Sequence, residues 1–509
     1  MNAMSFPSVG AGDLTLILGL GETGMAAARW CLSNGARLRV LDTRPAPAGA
    51  ATLESEAGAG VVDFRLGPDA LSAEALDGVA KVVLSPGLSP LQEPVKSFLA
   101  LAAERSVEVV GEIELFARAL ADMAGQGYSP RVLAVTGTNG KTTVTALTRH
   151  LVEAGGLSAR AAGNISPAAL AALADALSSG KLPDVWVLEL SSFQLETTTS
   201  LVPDAAAILN LTQDHLDWHG SMQAYGAAKG RLAGMAKVAV VNRDDPLVAD
   251  MVPDVRGQDV RTFGTGEPPC CGDMGVETSH GMAWLAASEA NDFDMPARPS
   301  RRRKNDDAPP RPDGRIVRLM PLDALRIRGM HNAMNALAAL ALARSLGLGW
   351  AAMLPALRDY RGEPHRTEFV RAIAGVDFIN DSKGTNVGAT VAALEGLGQK
   401  VVLIAGGLGK GQDFSPLSDA VSRHARAVVL IGQDGPVIGQ ALAHAGAELA
   451  EAGSLADAVK RAFELARQGD AVLLSPACAS MDMFRNYRHR GTSFVEEVQA
   501  LALDQGEMA

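Results

Sequence analysis

The stretch AVTGTNGKTT at residues 134–143 constrains the fold of this chain most, because it predicts a glycine-rich turn between a β-strand and an α-helix. In such a turn, the backbone N–H groups freed by Gly137 and Gly140 can face phosphate oxygens. Lys141 adds a mobile positive charge, and the Thr142 hydroxyl can complete the coordination shell of Mg²⁺. The segment therefore predicts an ATP or GTP site.

The spacing of this motif departs from the usual phosphate loop. Val135 stands where the pattern GxxxxGK[ST] has its first glycine, and Gly137 replaces that glycine two residues later. This difference argues against an ordinary nucleotide-dependent switch protein. A plain strand-to-helix turn is the alternative reading, and the adjoining Gly-Lys-Thr-Thr run argues against it.

Short β-branched runs alternate with Ala- and Leu-rich stretches along the chain, which predicts parallel sheets covered by helices. The alternation forms three blocks, in line with the number of domains expected from 509 residues. We predict an α/β protein with domains at residues 1–111, 112–361 and 362–509. The regular pattern weakens from Gly264 to Val317, and we predict a flexible insertion at about 288–315, where Pro, Arg and Asp are frequent.

Composition excludes several functions. The net charge of −11 argues against bulk binding of nucleic acid or anionic membranes, and the Arg-rich run in the insertion has Asn-Asp-Asp beside it. The four cysteines show no CxxC pair, which favours reduced thiols and a cytoplasmic location. We expect neither an export signal nor membrane insertion, since no apolar run reaches the roughly 20 residues that span a bilayer.

The first block contains a second glycine motif. Residues 14–18 predict a strand, Gly19, Gly21 and Gly24 spell GxGxxG, and the helix is expected to begin after Gly24. Asp42 ends the next strand, where a dinucleotide fold places a ribose-binding acid. The motif fits NAD or FAD, but the glycines would accommodate a nucleotide-sugar diphosphate equally well. A later strand of this block ends in a rigid polar turn at the same edge, formed by Ser85, Pro86 and Gly87.

The second block places acidic and basic groups after successive strands. The strand 185–190 delivers Glu189 to the sheet edge, where a carboxylate can hold Mg²⁺ directly or through water. The loop after the next strand carries Asp214, His215, Asp217 and His219, and Lys229 follows on a predicted helix. Taken singly, each of these residues could be a solvated loop charge or a helix cap. Their joint placement after successive strands of one sheet instead indicates a metal and phosphate site. Asn332 and Asn335 begin a long helix, where they could cap it or reach an adenine ring.

In the third block, every predicted strand ends in polar residues, so a small acidic molecule could be held at the carboxyl edge of this sheet. Arg366, near the domain junction, is placed to reach bound nucleotide. The residues expected to converge at the edge are Asp381, Lys383, Thr385, Lys410, Ser480 and Arg485.

These residues lie within motifs that resemble the Mur ligase family in order along nearly the whole chain. The motifs are GTNGKTT, LELSSFQLE, NLTQDHLDWHG, AAK, HNAMNALAAL, PHRTE, NDSKGTN and LSPACASMDMFRNYRHRG. The resemblance is greatest to the branch that adds D-glutamate to UDP-N-acetylmuramoyl-L-alanine, because the DNPR motif of the diamino-acid branch is absent and GLGETG resembles the UDP pocket of the D-glutamate branch. Among the motifs, SPACAS with its trailing aromatic and Arg-Gly is more specific than the phosphate loop.

The resemblance implies an N-terminal Rossmann-like UDP-binding domain, a central P-loop ATPase-type domain with a parallel sheet, and a C-terminal Rossmann-like domain that binds the amino acid. It also implies a monomeric, ATP-dependent ligase of cytoplasmic peptidoglycan precursor synthesis that forms an acyl phosphate and needs two Mg²⁺ ions. The implied metal ligands are Thr142, Glu189, His215 and Lys229, the last carbamylated by CO₂. The implied catalytic residues are Lys141, Glu189, His215 and Lys229.

The remaining roles are also implied by the resemblance. ATP would contact Gly137, Thr138, Asn139, Gly140, Lys141, Thr142, Thr143, Asn332, Asn335, Arg366 and Asp381. The UDP substrate would contact Gly21, Glu22, Thr23, Asp42, Thr43, Arg44, Ser85, Gly87 and Asn164. D-Glutamate would contact Lys383, Thr385, Lys410, Ser480 and Tyr487. The two substrates would then lie on different domains, so the third domain must close before reaction.

Three positions depart from the family pattern: Ser166 and Tyr487 replace the usual Gly and Phe, and Gly384 stands where Ala is common. None removes a group that the implied mechanism requires. Two other classes of enzyme fit the sequence less well. A folylpolyglutamate synthase-like ligase would lack the GxGxxG domain, and an NAD-dependent oxidoreductase would leave GTNGKTT, Glu189 and His215 without a role.

Overall fold

The computed structural model describes residues 4–252, 257, 259–290 and 311–507. These residues form three β-sheets, each flanked by helices, as expected for an α/β protein with three parallel-sheet units. Within the described part of the chain, no helix is long and apolar enough to cross a membrane. Most of the predicted insertion lies outside the described residues.

The first sheet is fully parallel, with strand order β3-β2-β1-β4-β5. Its strands are β1 (Leu14–Leu18), β2 (Arg37–Asp42), β3 (Val62–Leu66), β4 (Val79–Leu84) and β5 (Glu108–Val110). The helices of this part are α1 (Glu22–Ser33), α2 (Ala48–Ala57), α3 (Val95–Glu104) and α4 (Glu112–Ala124). The strand order reverses between β1 and β4, and in open α/β sheets ligands bind at such a switch point.

The helix after the first glycine motif begins at Glu22, two residues before Gly24, so the predicted start of α1 was wrong. Gly24 lies in the first turn of α1, and only glycine fits there, because a Cβ would overlap the Gly19 carbonyl oxygen. Gly19 itself has φ +89°, a conformation that favours glycine. Both glycines therefore serve the tight turn and the close packing of helix on strand.

The second sheet has nine strands in the order β14-β13-β12-β11-β10-β9-β6-β8-β7. The strands are β6 (Arg131–Thr136), β7 (Ala159–Gly163), β8 (Val185–Glu189), β9 (Ala205–Ile208), β10 (Ala239–Asn242), β11 (Val260–Phe263), β12 (Met274–Ser279), β13 (Met282–Glu289) and β14 (Arg315–Pro321). The helices are α5 (Lys141–Ala154), α6 (Ala169–Ser179), α7 (Ser192–Glu196), α8 (Leu216–His219), α9 (Met222–Met235), α10 (Pro246–Ala249), α11 (Met330–Ser345) and α12 (Trp350–Asp359). Strand β6 lies between β8 and β9, so the loops after these three strands share one sheet edge.

The described residues between Gly264 and Val317, which are 264–290 and 311–317, are more regular than the sequence pattern indicated. β12 and β13 form an antiparallel hairpin whose two-residue turn is His280-Gly281, with φ +52° and +76°. The hairpin continues into β14, and the ends of the predicted insertion, at 288–289 and 315, belong to strands β13 and β14. Arg311, also within the predicted span, forms a buried ion pair of 2.6 Å with Asp273.

The third sheet has the order β15-β16-β20-β17-β18-β19 and is parallel except for β15. Its strands are β15 (Glu368–Ile373), β16 (Val376–Asn380), β17 (Val401–Gly406), β18 (Ala425–Ile431), β19 (Glu448–Glu451) and β20 (Ala471–Leu474). Its helices are α13 (Val387–Gly396), α14 (Leu417–His424), α15 (Gly435–Ala441), α16 (Leu455–Leu465) and α17 (Tyr487–Asp504). Strands β16, β20 and β17 are adjacent in this sheet, and the predicted polar loops follow their carboxyl ends.

Candidate active site

A cavity of about 580 Å³ lies between the carboxyl edges of the second and third sheets. Of the residues predicted to contact ATP, ten line it: Thr138, Asn139, Gly140, Lys141, Thr142, Thr143, Asn332, Asn335, Arg366 and Asp381. The eleventh, Gly137, instead turns its carbonyl oxygen toward two lysine side chains. The cavity therefore brings residues from both sheets to the phosphate loop.

The phosphate loop is held in place by Asn210, which follows β9. The Asn210 side chain accepts a hydrogen bond from Asn139 N (2.8 Å) and donates one to Asn139 O (3.1 Å). Its backbone oxygen accepts from Thr138 N at 2.9 Å. Gly140 has φ +84°, and a Cβ there would overlap Asn335 Oδ1, so the loop has neither the conformation nor the space for a larger residue.

Glu189 lies at the centre of the predicted metal site and is almost fully buried. Its two carboxylate oxygens accept hydrogen bonds of 2.7 Å, one from the Thr142 hydroxyl and one from Asn164 Nδ2. A carboxylate beside a threonine hydroxyl at the start of a helix presents the oxygen ligands that Mg²⁺ prefers. The donor set of Thr142 and Glu189 therefore fits a magnesium ion.

Two lysine side chains converge on one backbone oxygen. Lys141 Nζ donates to Gly137 O at 2.9 Å and to Thr138 O at 2.8 Å, and Lys229 Nζ donates to Gly137 O at 2.8 Å. Lys229 is 1% exposed. Burial first, and then the neighbouring Lys141 charge, hold the pKa of Lys229 well below its usual range. The site thus disfavours the charged form of Lys229 relative to a lysine in water.

His215 faces the same cavity from the loop after β9. It has φ +54° and immediately precedes α8. Burial lowers the pKa of His215, and the carboxylate of Asp214 opposes that shift. The loop residues Asp214 and Asp217 also line the cavity. His219 does not, because its ring turns inward and Nε2 lies 2.9 Å from Ser192 Oγ, so its predicted place in a metal and phosphate site was wrong.

The third sheet contributes four of the six residues that were expected to converge: Asp381, Lys383, Thr385 and Lys410. Ser480 is buried next to Ala479, which lines the cavity. Arg485 does not converge, because it falls on the exposed turn that leads into α17. The prediction for Arg485 was therefore wrong.

Lys383 and Asp381 both have perturbed ionisation. Lys383 Nζ lies 4.2 Å from the centroid of the Tyr487 ring, and burial, with the nearby Arg366 charge, lowers the pKa of Lys383 to about 8. Burial raises the pKa of Asp381 to about 6, although its carboxylate accepts hydrogen bonds from Ser475 Oγ (2.7 Å) and Thr367 N (3.1 Å). Tyr487 therefore reaches the cavity indirectly, through the lysine stacked on its ring.

The residues predicted to contact UDP lie apart from this cavity, except Asn164, which lines it. Asp42 is buried and already bonded, since its carboxylate pairs with Arg44 (2.6 Å) and accepts from Leu20 N (2.9 Å). Burial raises the pKa of Asp42, but these hydrogen bonds outweigh it and the net pKa is lowered. Glu22 connects the two regions, because its carboxylate accepts from Ser166 Oγ at 2.8 Å, two residues after Asn164.

Sequence reasoning missed three residues that shape the site. Asn210 and Asn386 each contact the phosphate loop, and the Tyr225 hydroxyl lies 3.1 Å from Thr138 Oγ1. Asn210 lies two residues after the end of β9, so the rule that found Glu189 could have found it. Tyr225 packs from α9 under the Lys229 side chain, with Nζ 4.5 Å from the ring centroid, and no sequence pattern marks that contact.

Comparison with family models assigns three segments. Residues 13–111 match the Mur ligase MurD-like N-terminal domain, residues 135–283 the Mur ligase middle domain, and residues 365–478 the glutamate ligase domain of Mur ligases. Curated relatives are similar over nearly their whole length. The UDP-N-acetylmuramoylalanine–D-glutamate ligase of Bordetella avium is 67% identical over 497 residues, covering 97% of each chain. That of Ralstonia nicotianae is 58% identical over 500 residues, covering 98% of this chain and 99% of the relative.

Solved structures share the fold at low identity. MurF ligase from Thermotoga maritima, in complex with ADP, aligns with a TM-score of 0.56 at 17% identity, covering 98% of both chains. UDP-N-acetylmuramate-alanine ligase from Thermotoga maritima aligns with a TM-score of 0.53 at 20% identity, covering 96% of this chain and 99% of the other. These alignments support the three-sheet α/β architecture.

Proposed function

Since this chain belongs to the Mur ligase family, we propose that its cavity forms the amide bond between UDP-N-acetylmuramoyl-L-alanine and D-glutamate, using ATP. The single observation that carries the proposal is the convergence of the phosphate loop, Glu189, and the basic side chains of the third sheet on one cavity. The first would hold ATP, and the last would hold an acidic amino acid. The reaction belongs to peptidoglycan precursor synthesis and requires small-molecule substrates.

The chemistry needs an activated carboxyl group, because a carboxylate is a poor acyl donor. A carboxylate oxygen of the UDP substrate attacks the γ-phosphorus of ATP, ADP leaves, and an acyl phosphate forms. The amine of D-glutamate then attacks the acyl carbon, phosphate leaves, and the amine loses a proton. Negative charge grows on the transferring phosphoryl group, and Lys141 and Arg366 are the cations placed to stabilise it.

Thr142 and Glu189 would hold one Mg²⁺, which when bound would neutralise charge on the β and γ phosphates. A second Mg²⁺ would use His215 and a carbamate on Lys229. The carbamate forms when the neutral lysine nitrogen attacks CO₂ and loses a proton, which converts the amine into an anionic oxygen ligand. The lowered pKa of Lys229 supports this assignment, because only the neutral amine can react and burial makes that form more accessible.

The acceptor would be held by the basic and hydroxyl groups of the third sheet. Lys383, Lys410 and Thr385 would contact its two carboxylates from the cavity wall, with Ser480 and Tyr487 behind them. The UDP moiety would lie on the first sheet, at the switch point between β1 and β4. We also propose that the protein is a cytoplasmic monomer.

Phosphate release tests the function directly. Purified protein is mixed with ATP, Mg²⁺, UDP-N-acetylmuramoyl-L-alanine and one amino acid at a time, including D-glutamate, L-glutamate and a diamino acid. We expect phosphate release above background only with D-glutamate. Turnover that requires a different acceptor, or that ignores the UDP substrate, would overturn the proposal.

The carbamate is tested separately by ¹³C NMR in ¹³C-bicarbonate. We expect a carbamate resonance in the unsubstituted protein, its loss in Lys229→Ala, and its retention in Lys81→Ala. Lys81 is a suitable control because it is also buried and donates to two backbone oxygens, Ser8 O and Val9 O. A resonance that survives Lys229→Ala, or full ligase activity in that variant, would refute the carbamate.

A further inference from the structure

Asn386, which precedes α13 in the third sheet's part of the chain, contacts two loops of the second. Its Nδ2 donates to Asn139 Oδ1 in the phosphate loop at 3.0 Å, and to Asp214 Oδ2 beside His215 at 3.4 Å. Its Oδ1 accepts from Asn139 Nδ2 at 3.4 Å. Asn139 and Asn386 are 247 residues apart in the sequence, so this reciprocal amide pair depends wholly on how the two parts dock.

The orientation of the Asn386 amide is fixed by its own helix. Asn386 is the N-cap of α13, and its Oδ1 accepts from Ala389 N at 2.9 Å. An asparagine side chain offers two N–H donors and an oxygen with two lone pairs, and here all four have partners. Because Oδ1 must face the helix, Nδ2 must face the phosphate loop. The residue is 6% exposed, so water competes little for these bonds.

The partner loop is equally constrained. Asn210 fixes the backbone of Asn139 on both its N–H and its C=O, so the Asn139 side chain has a defined direction. Next to the amide pair, Gly388 in the first turn of α13 lies against Thr212. A Cβ on Gly388 would lie 3.0 Å from Thr212 Oγ1. The small residue thus lets α13 approach the second sheet closely where Asn386 makes its contacts.

We propose that Asn386 is a positioning residue that holds the third part of the chain against the phosphate loop and the Asp214–His215 loop. Its capping bond alone requires only a side-chain oxygen, which Ser and Asp also supply. The cross-sheet contacts require the two N–H donors, which neither supplies. The proposal deepens the ligase function above and rests on it for its kinetic test.

Two substitutions separate positioning from capping. Asn386→Ser keeps a good cap but is too short to reach Asn139, and Asn386→Asp keeps cap and shape but replaces both donors with acceptors opposite Asp214. We expect kcat/KM for D-glutamate to fall roughly tenfold in Asn386→Ser and roughly a hundredfold in Asn386→Asp, from lost hydrogen bonds and added repulsion. A residue that only caps α13 would leave both variants near the unsubstituted value.

Hydrogen exchange measured by mass spectrometry gives a readout that does not need catalysis. We expect faster exchange in the peptide covering 136–143 in both variants, with the larger increase in Asn386→Asp. Ser454→Ala is the matched control, because Ser454 caps α16 in the same part of the chain and its side chain contacts Asp457 N there. That control should loosen α16 alone and leave the phosphate-loop peptide unchanged.

Gly388→Ala adds an independent check. The substitution should not weaken α13, since Ala is the better helix former. It should still lower kcat/KM for D-glutamate, because the added methyl must push Thr212 aside. Unchanged phosphate-loop exchange in both Asn386 variants would overturn the proposal even if the protein proved not to be a ligase. Raised exchange in a protein without D-glutamate activity would support Asn386 and refute the proposed function alone.

Discussion

Gly140→Ala is the substitution whose effect can be worked out most fully from the structure. Gly140 has φ +84°, and forcing an L-residue into this region costs about 1–2 kcal/mol. The new methyl would also overlap Asn335 Oδ1, and the Asn335 side chain donates to Asn332 Oδ1 at 3.2 Å. Displacing Asn335 would cost about 1 kcal/mol more for that hydrogen bond. We therefore expect a loss of about 2–3 kcal/mol in the free energy of unfolding.

Gly156→Ala is the matched control, because Gly156 follows the same helix, α5, and has φ +90° with no atom near its Cβ position. It should lose only the conformational part, about 1–2 kcal/mol. Both variants would be unfolded in urea at constant pH, and ATP binding would be measured by calorimetry. ATP affinity should fall in Gly140→Ala alone. Equal losses of stability in the two variants, with equal ATP affinity, would refute the steric reasoning.

Three further predictions rest on buried or stacked side chains. Glu112 is fully buried, and burial raises its pKa to about 7, so between pH 4.5 and 7 the folded protein keeps a proton that the unfolded chain releases. Unfolding stability should therefore fall by about 3 kcal/mol as pH rises through this window, and urea titrations of Glu112→Gln should lack that slope. Asp273→Asn removes the carboxylate of the buried ion pair with Arg311 and should lower the free energy of unfolding by about 3–5 kcal/mol, with kcat unchanged in the folded fraction; unaltered stability in denaturant would contradict this. Tyr487→Phe should change kcat/KM for D-glutamate less than about twofold, because the hydroxyl only accepts a hydrogen bond from Arg488 at 3.2 Å on the exposed side, whereas Tyr487→Leu removes the ring under Lys383 and should cost about fivefold. Equal kinetics for the two Tyr487 variants would show that the ring contact is unimportant.

Several strands and site residues could be predicted from the sequence. Parallel sheets place the carboxyl ends of their strands at one edge, so the polar residues that follow the strands lie together there. The prediction of β1 at Leu14–Leu18 matches the structure, and the runs RLRVLD and VWVLE became β2 and β8. The same reasoning identified Glu189, because this acidic residue stands at the carboxyl end of β8. The alternation of strand and helix patterns along the sequence was sufficient to predict these strands.

Other features depended on contacts that no local pattern carries. The hairpin of β12 and β13 was missed because its turn is His280-Gly281 rather than the Asn-Gly or Asp-Gly expected of such turns. His219 and His215 lie in one short loop, yet one ring packs inward and the other faces the cavity. Which way each ring turns is decided by α7 and α9, which pack around the loop, and not by the spacing of the histidines.

The loop that carries His215 is held by all three parts of the chain. From the first, Ser89 Oγ donates to Trp218 O at 3.1 Å and Gln92 Nε2 donates to Asp217 O at 2.6 Å. From the third, Asn386 Nδ2 reaches Asp214 Oδ2 at 3.4 Å. Ser89 and Gln92 lie just beyond the Ser85 turn, at the edge where the UDP group is proposed to bind. The position of His215 therefore depends on how both outer domains dock. An isolated central domain would keep its phosphate loop, because Asn210 belongs to that domain, but it would lose the contacts that fix the His215 loop.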